Sequence, residues 1–198
     1  MSILFRVAPI LLAVAFQASP APEPGWTSLF NGKDLAGWHG TEGLWSVENG
    51  EIVGRTSGLK RNEFLISDMA AANFKLTFEV KLVDNAGNSG VQFRSQALEH
   101  GVQGYQADIG TGWWGKLYEE EGRGLLWAKS GEEHVKKGEW NTYEIVADGR
   151  RIQTRINGHL CVDLDDAPGA RRGIFALQLH SGGPTEVRYR NFQLETAP

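Results

Sequence analysis

The chain has 198 residues, 41% of them hydrophobic and 22% charged, a length that suits one domain with a full-sized core. A formal net charge of −4 argues against a polyanionic partner such as nucleic acid. Cys161 is the only cysteine, so no internal disulfide exists and the core must hold the fold.

Taken in chain order, Arg6 introduces an apolar run, Val7 to Phe16, with small residues at Ala13, Ala15 and Ala18. This reads as a secretory leader over residues 1–18, cleaved after Ala15 or Ala18. The run is shorter than the roughly 20 residues a spanning helix needs, and Pro9 interrupts it. No integral membrane segment is expected in the mature chain. Pro20, Pro22 and Pro24 then make residues 19–25 a stiff tether. Without the first 18 residues the chain carries 19 basic and 24 acidic side chains, a balance of −5. The expected location is periplasmic or extracellular. Mass spectrometry of the native protein should place the mature N-terminus between residues 16 and 25; an intact Met1 in the cytoplasm would refute export.

Residues 26–198 read as a single all-β domain, rich in glycine and in short alternating runs. Trp26–Phe30, Leu44–Val47, Glu51–Gly54 and Phe64–Ser67 are early strands, with Asn49-Gly50 a two-residue hairpin turn. Residues 67–73 can make at most one helical turn. The clearest strand is Phe74–Leu82, with Phe74, Leu76, Phe78, Val80 and Leu82 directed to the core. Later strands are Leu125–Ala128, Thr142–Ala147, Arg151–Ile156, the stretch around 159–163, Gly173–His180 and Glu186–Glu195. Asp148-Gly149 and Asn157-Gly158 are further hairpin turns, and a parity slip near Arg190-Asn191 marks a β-bulge. Strands at this spacing, without helices or an internal repeat, imply two packed antiparallel sheets or a barrel. A two-sheet jelly-roll sandwich is the expected architecture.

The stretch Asn88–Gly124 carries the functional signal. If Val91 and Phe93 face the core, Gln92 and Arg94 face outward. If Tyr105, Ala107 and Ile109 face the core, Gln106 and Asp108 face outward. In Gly173–His180 the same rule puts Gln178 and His180 opposite Phe175, Leu177 and Leu179. Ordinary solvated faces carry Lys, Glu and Thr; a face of amides, a carboxylate, a guanidinium and an imidazole suits a polar, ring-shaped ligand, a small carbohydrate. Asp108 and His180 are the candidate acid and base. Arg94 offers a planar donor fork. Gln92, Gln106 and Gln178 offer paired donors and acceptors for vicinal hydroxyls. Trp113 or Trp114 can stack on a sugar ring, one of the two being expected in the core. Tyr118 leads into Glu119, Glu120 and Glu121, of which one can pair with Arg123 and one can act as a second acid. Asp163, Asp165 and Asp166 lack the regular ligand spacing of a calcium loop and read as a turn. The histidines show no metal-ligand spacing.

With these residues in view, the sequence resembles the 3-keto-disaccharide hydrolase family across about residues 26–195. The resemblance rests on GWTSLFNGKDLAGWHG, NSGVQFRS, GYQADIG with GKLYEE, WNTYEIVADGRRIQTRING and GIFALQLHSGGPTEVRYRNFQL, in that order. It implies a concanavalin-A-like jelly roll with its ligand on the concave sheet, and cleavage of glycosides whose sugar is oxidised to a ketone at carbon 3. Gln92, Arg94, Gln106, Asp108, Tyr118, Glu120, Gln178 and His180 occupy the matching polar blocks. Such a ketone acidifies the carbon-2 proton. A base removes it, the carbon-1 substituent leaves with help from an acid, and water adds back. The implied roles are acid and base for Asp108 and His180, with Arg94 holding the enolate oxygen; a divalent metal is the alternative to Arg94, and spacing does not decide between them. Three other readings stay open. One is a carbohydrate-binding domain without catalysis. The second is an ordinary glycosidase, against which the absence of E-x-D-x-x-E counts. The third is a structural or adhesive surface domain.

Overall fold

The computed structural model describes residues 26–196; the leader and tether expected at 1–25 lie outside the described residues. Among these, fifteen strands follow one another: β1 (Trp26–Thr27), β2 (Trp38–His39), β3 (Trp45–Glu48), β4 (Glu51–Thr56), β5 (Glu63–Ala71), β6 (Phe74–Leu82), β7 (Asn88–Leu98), β8 (Gly101–Gly110), β9 (Leu117–Glu120), β10 (Gly124–Trp127), β11 (Asn141–Asp148), β12 (Arg151–Ile156), β13 (His159–Asp165), β14 (Gly173–Leu179) and β15 (Thr185–Thr196). Two antiparallel sheets result. One runs β13-β12-β11-β6-β15-β4-β3, with β1 also on β15; the other runs β10-β9-β8-β7-β14-β5-β2. This is the jelly-roll sandwich expected from the alternation.

The period-2 pattern of β6 buries Phe74, Leu76, Phe78, Val80 and Leu82 in full. Their partners across the sandwich are Val91, Phe93, Tyr105, Ala107, Ile109, Phe175, Leu177 and Leu179. Phe74 joins the layers: its ring meets Phe175 edge-on at 5.0 Å and Phe93 at 6.1 Å. Each such side chain contributes about 1.5–3 kcal/mol on burial. Asn49-Gly50 and Asn157-Gly158 both adopt positive φ, as two-residue hairpin turns require. The parity slip in β15 is a register shift between Arg190 and Gln193, with Asn191 at φ 56°. Residues 67–73 differ from expectation. Ser67–Ala71 continue β5 as strand, Ser67 paired to β2 and Ala70 and Ala71 to β14; these ladder bonds outweigh the helical preference of two alanines.

One irregularity shapes the functional face. Between Phe93 and Gln96 the β7–β8 register shifts, with Arg94 at φ 46° and Gly104 at φ 143°. A bulge bends its strand, and here Val102, near the hairpin tip, packs on Phe64 and Ala176 beside Ile66 and Ile174. These four lie on the side of their sheet away from the main core. The β7–β8 hairpin therefore folds back over one end of its own sheet.

Candidate functional site

β14, β7, β8 and β9 are consecutive in the sheet, and their register decides which polar side chains meet. Gln178 stands opposite Gly90, and Gly90 opposite Asp108. One pair further along, Ala176 aligns with Gln92, Gln92 with Gln106, and Gln106 with Tyr118. In the other direction the His180 amide donates to the Asn88 carbonyl at 3.2 Å, and Asn88 stands opposite Gly110. The face turned away from the core thus carries three polar rows. Glycine sits where a side chain must lie flat: a Cβ on Gly90 would come within 2.6 Å of the Gln106 side chain.

A cavity of about 280 Å³ opens over these rows, lined by Asn62, Asn88, Gln106, Asp108, Trp113, Tyr118, Glu120 and His180. Asp108 is only 2% exposed. Its Oδ1 accepts from Gln106 Nε2 at 2.8 Å, while its buried Oδ2 has no partner. Burial pushes the carboxyl up to about 7; the Gln106 hydrogen bond opposes this and the nearby Glu120 charge adds to it. A carboxyl that ionises near neutrality is matched to general-base work. Gln106 is fixed in turn: Gln92 Nε2 donates to its Oε1 at 2.7 Å, and Ser95 Oγ donates to Gln92 Oε1 at 3.0 Å. Ser95, Gln92 and Gln106 form a buried chain that sets the orientation of the carboxylate. His180 is exposed at the opposite wall. Its Nδ1 lies 2.6 Å from the Ser181 carbonyl oxygen; a carbonyl only accepts, so Nδ1 carries the proton and Nε2 is left to exchange one with a ligand. Asn62 Nδ2 donates to Glu120 Oε1 at 2.7 Å, bridging the β4–β5 loop to β9.

The structure brings together six of the expected site residues as lining: Gln106, Asp108, Trp113, Tyr118, Glu120 and His180. Gln92 and Gln178 lie beneath them, fully buried. Gln178 Nε2 is 3.5 Å from Glu120 Oε2, and its buried Oε1 has no partner. Three expectations need correction. Arg94 does not line the pocket. The bulge takes its guanidinium out of the polar rows and buries it, bonded to the carbonyls of Ala72 at 2.7 Å and Gly149 at 2.8 Å, to Asn73 Oδ1 at 3.1 Å and to the Ala170 carbonyl at 3.5 Å. Trp114 is the core tryptophan, 1% exposed, its Nε1 donating to Asn85 Oδ1 at 3.0 Å; Trp113, 38% exposed, lines the pocket edge-on to Tyr118. Glu119 pairs across β8 with Tyr105, on the other face from Gln106, and binds Arg123.

Asp163 and Asp165 lie in β13 rather than in the expected turn, with Asp166 just beyond it; the three pair with Arg151, Arg150 and Arg123 respectively. Among the described residues no group of three or more His, Cys, Asp or Glu side chains converges as a metal cage. Two lining residues were not anticipated. Asn88 shares the parity of Gln92 and was legible by extending the alternation to the start of its motif. Asn62 lies in a loop, where no period signals it.

The profile of a family described as a 3-keto-alpha-glucoside-1,2-lyase-like domain matches residues 25–195. A comparison with curated proteins gives no match. Several solved structures share the fold. A Parabacteroides distasonis protein provisionally assigned as a glycosyl hydrolase is 19% identical, with 88% of this chain and 95% of that chain covered at a TM-score of 0.68. The carbohydrate-binding module CBM66 of Bacillus subtilis is 19% identical over 81% of this chain and 96% of its own, at 0.63. A Bacillus subtilis protein of unknown function with a galectin-like fold is 9% identical over 86% and 94%, at 0.61.

Proposed function

Because the chain belongs to the 3-keto-alpha-glucoside-1,2-lyase-like family, we propose that it cleaves 3-keto-glycosides, 3-keto-disaccharides among them, by removing the carbon-2 proton, expelling the carbon-1 substituent and adding water. The observation that carries this reading is Asp108 itself, which lines a polar pocket and keeps one carboxylate oxygen, Oδ2, buried and without a partner. A buried polar atom without a partner costs about 1–3 kcal/mol, and beside a pocket a proton taken from a ligand would relieve that cost.

In this reading Asp108 takes the carbon-2 proton. The Gln106 hydrogen bond keeps Oδ1 occupied, so Oδ2 is the basic atom. His180, when protonated, donates from Nε2 to the departing oxygen. Water then adds across the carbon-1–carbon-2 double bond, oxygen to carbon 1 and hydrogen to carbon 2, and the net change is hydrolysis. Export, expected from the leader, belongs to the same proposal: an enzyme of this kind would meet its glycosides outside the cytoplasm.

The test is turnover of a 3-keto-disaccharide beside its unoxidised parent. The ketone should be cleaved and the parent should not, since only the ketone acidifies carbon 2. Binding of both sugars without cleavage of either would leave a carbohydrate-binding domain instead. Within that assay Trp113→Ala should raise KM about three- to tenfold and leave kcat nearly unchanged. A ring stacked on a sugar serves ground state and transition state alike, and is worth roughly 0.5–1.5 kcal/mol. Trp114→Ala should instead lose about 3–5 kcal/mol of stability by opening a core cavity, read from a denaturant midpoint. The reverse pattern would exchange the two assignments.

A further inference from the structure

Proton removal from carbon 2 puts negative charge on the carbon-3 oxygen, and Arg94 is not in the pocket to receive it. We propose that the Asn88 carboxamide binds the carbon-3 oxygen and stabilises the enolate, which makes Asn88 a catalytic residue; the inference rests on the 3-keto-glycoside reading.

Position is the first argument. Asn88 stands in the same row as His180, whose amide it accepts at 3.2 Å, and lies diagonal to Asp108, because Asn88 pairs with Gly110 and Gly90 pairs with Asp108. Diagonal neighbours on one face are about 7 Å apart at most between Cβ atoms. All three side chains line one cavity. A carbonyl oxygen held at Asn88 therefore places the adjoining carbons between the base and the acid.

Commitment is the second. Gln106 Nε2 is bonded to Asp108, and Asn62 Nδ2 to Glu120. Asn88 is half-buried, and among the described residues its side chain is bonded to no other protein group. Its amide is nevertheless placed: it lies across Gly110, where a Cβ would come within 2.5 Å of Nδ2. A pre-positioned donor not committed to another protein group is suited to a ligand oxygen.

Charge is the third. A guanidinium here would pull the Asp108 carboxyl back down and weaken it as a base, because a nearby cation favours the carboxylate. A neutral amide stabilises the oxyanion and leaves the base strong.

The electrons balance without a further reactant. The carbon-2–hydrogen bond breaks toward Asp108 Oδ2, its pair forms the carbon-2–carbon-3 double bond, and the carbonyl pair moves onto the oxygen at Asn88 Nδ2. Collapse of the enolate restores the ketone and forms the carbon-1–carbon-2 double bond. It expels the carbon-1 oxygen, which takes the proton from His180.

Exchange of the carbon-2 hydrogen in D2O, followed by NMR, isolates proton removal from departure of the leaving group. Exchange and turnover of a 3-keto-disaccharide would be measured for wild type, Asn88→Ala, the isosteric Asn88→Asp and Tyr118→Phe, with calorimetric binding of the unoxidised parent as control. Asn88→Ala should lose about 10²–10³-fold in both rates, the usual cost of one oxyanion donor, while parent binding changes only a few-fold. Asn88→Asp should lose more, since a carboxylate would face the enolate. Wild-type exchange retained in both Asn88 variants overturns the proposal, as does a loss confined to Tyr118→Phe, which would make the phenol the donor. If wild type neither exchanges nor cleaves the ketone, the 3-keto-glycoside reading fails and this assignment goes with it.

Discussion

Replacing Asp108 by Asn should lower kcat on a 3-keto-disaccharide by about 10²–10⁴-fold, the range for loss of a general base, with KM changed only a few-fold. Asn fills the same space and still accepts from Gln106 Nε2 through its carbonyl oxygen, so the buried chain from Ser95 through Gln92 persists. What disappears is the atom that takes the proton. In wild type, activity should rise with pH as the carboxyl ionises near 7. The same substitution should stabilise the fold, in a pH-dependent way. An acid whose pKa is raised in the folded state holds its proton there after the unfolded chain has lost it. Stability therefore falls as pH climbs from about 4 to about 7, and is level beyond. A rise from 3.8 to about 7 corresponds to at most about 4 kcal/mol. Asp108→Asn should recover part of this at pH 8 and almost none at pH 3. Full turnover by the variant would transfer the base role to Glu120, the other carboxylate lining the pocket.

Replacing Arg94 by Ala should have the opposite signature: little kinetic change and a large loss of stability. Its guanidinium ties the β5–β6 connection, through Ala72 and Asn73, to the β11–β12 turn at Gly149 and to the segment before β14 at Ala170. Those segments belong to both sheets. Removing the donor strands several carbonyls at a site that is 1% exposed, and a loss of about 3–5 kcal/mol is expected. At about 2–4 °C per kcal/mol for a chain of this size, Tm should drop by roughly 10 °C. Arg94→Lys should recover little, because one ammonium cannot reproduce the planar fork. Thermal melts and kcat measured well below the transition separate the two roles. A stable Arg94→Ala that loses turnover would return Arg94 to the enolate.

The contrast between these residues shows what strand parity can and cannot reveal. Gln92, Gln106, Asp108, Gln178 and His180 were placed on one face by alternation alone, because side chains in a regular strand must alternate. Arg94 follows the same rule on paper and breaks it in space. A positive φ at a non-glycine residue is set by the partner strand, where Gly104 relaxes, and by the carbonyls that bind the guanidinium; no local pattern announces it. The sandwich was legible throughout, down to the Asn49-Gly50 and Asn157-Gly158 turns and the slip in β15, because each has a two- or three-residue signature. Ser67–Ala71 was not, because its strand state depends on neighbours 100 residues away. Trp113 and Trp114 are adjacent and chemically alike, so only the burial of one against the core distinguishes them. Asn62 is fixed by contacts to Glu120 and to the Ser181 amide, both remote in the chain.

The place of β15 has a bearing on how the molecule is assembled in time. The last of the described strands lies between β6 and β4, and also pairs with β1. Until Thr185–Thr196 has been synthesised, the β3–β4 hairpin and the N-terminal strand have no neighbour through which to join β6. A nascent chain still short of these residues cannot complete its eight-stranded sheet, and one edge of β6 stays unpaired. Long-range pairing of this kind is slow, because the loop-closure entropy is spent before the contacts form. Completion of the eight-stranded sheet therefore waits on Thr185–Thr196, and their loss would divide the sheet rather than trim it.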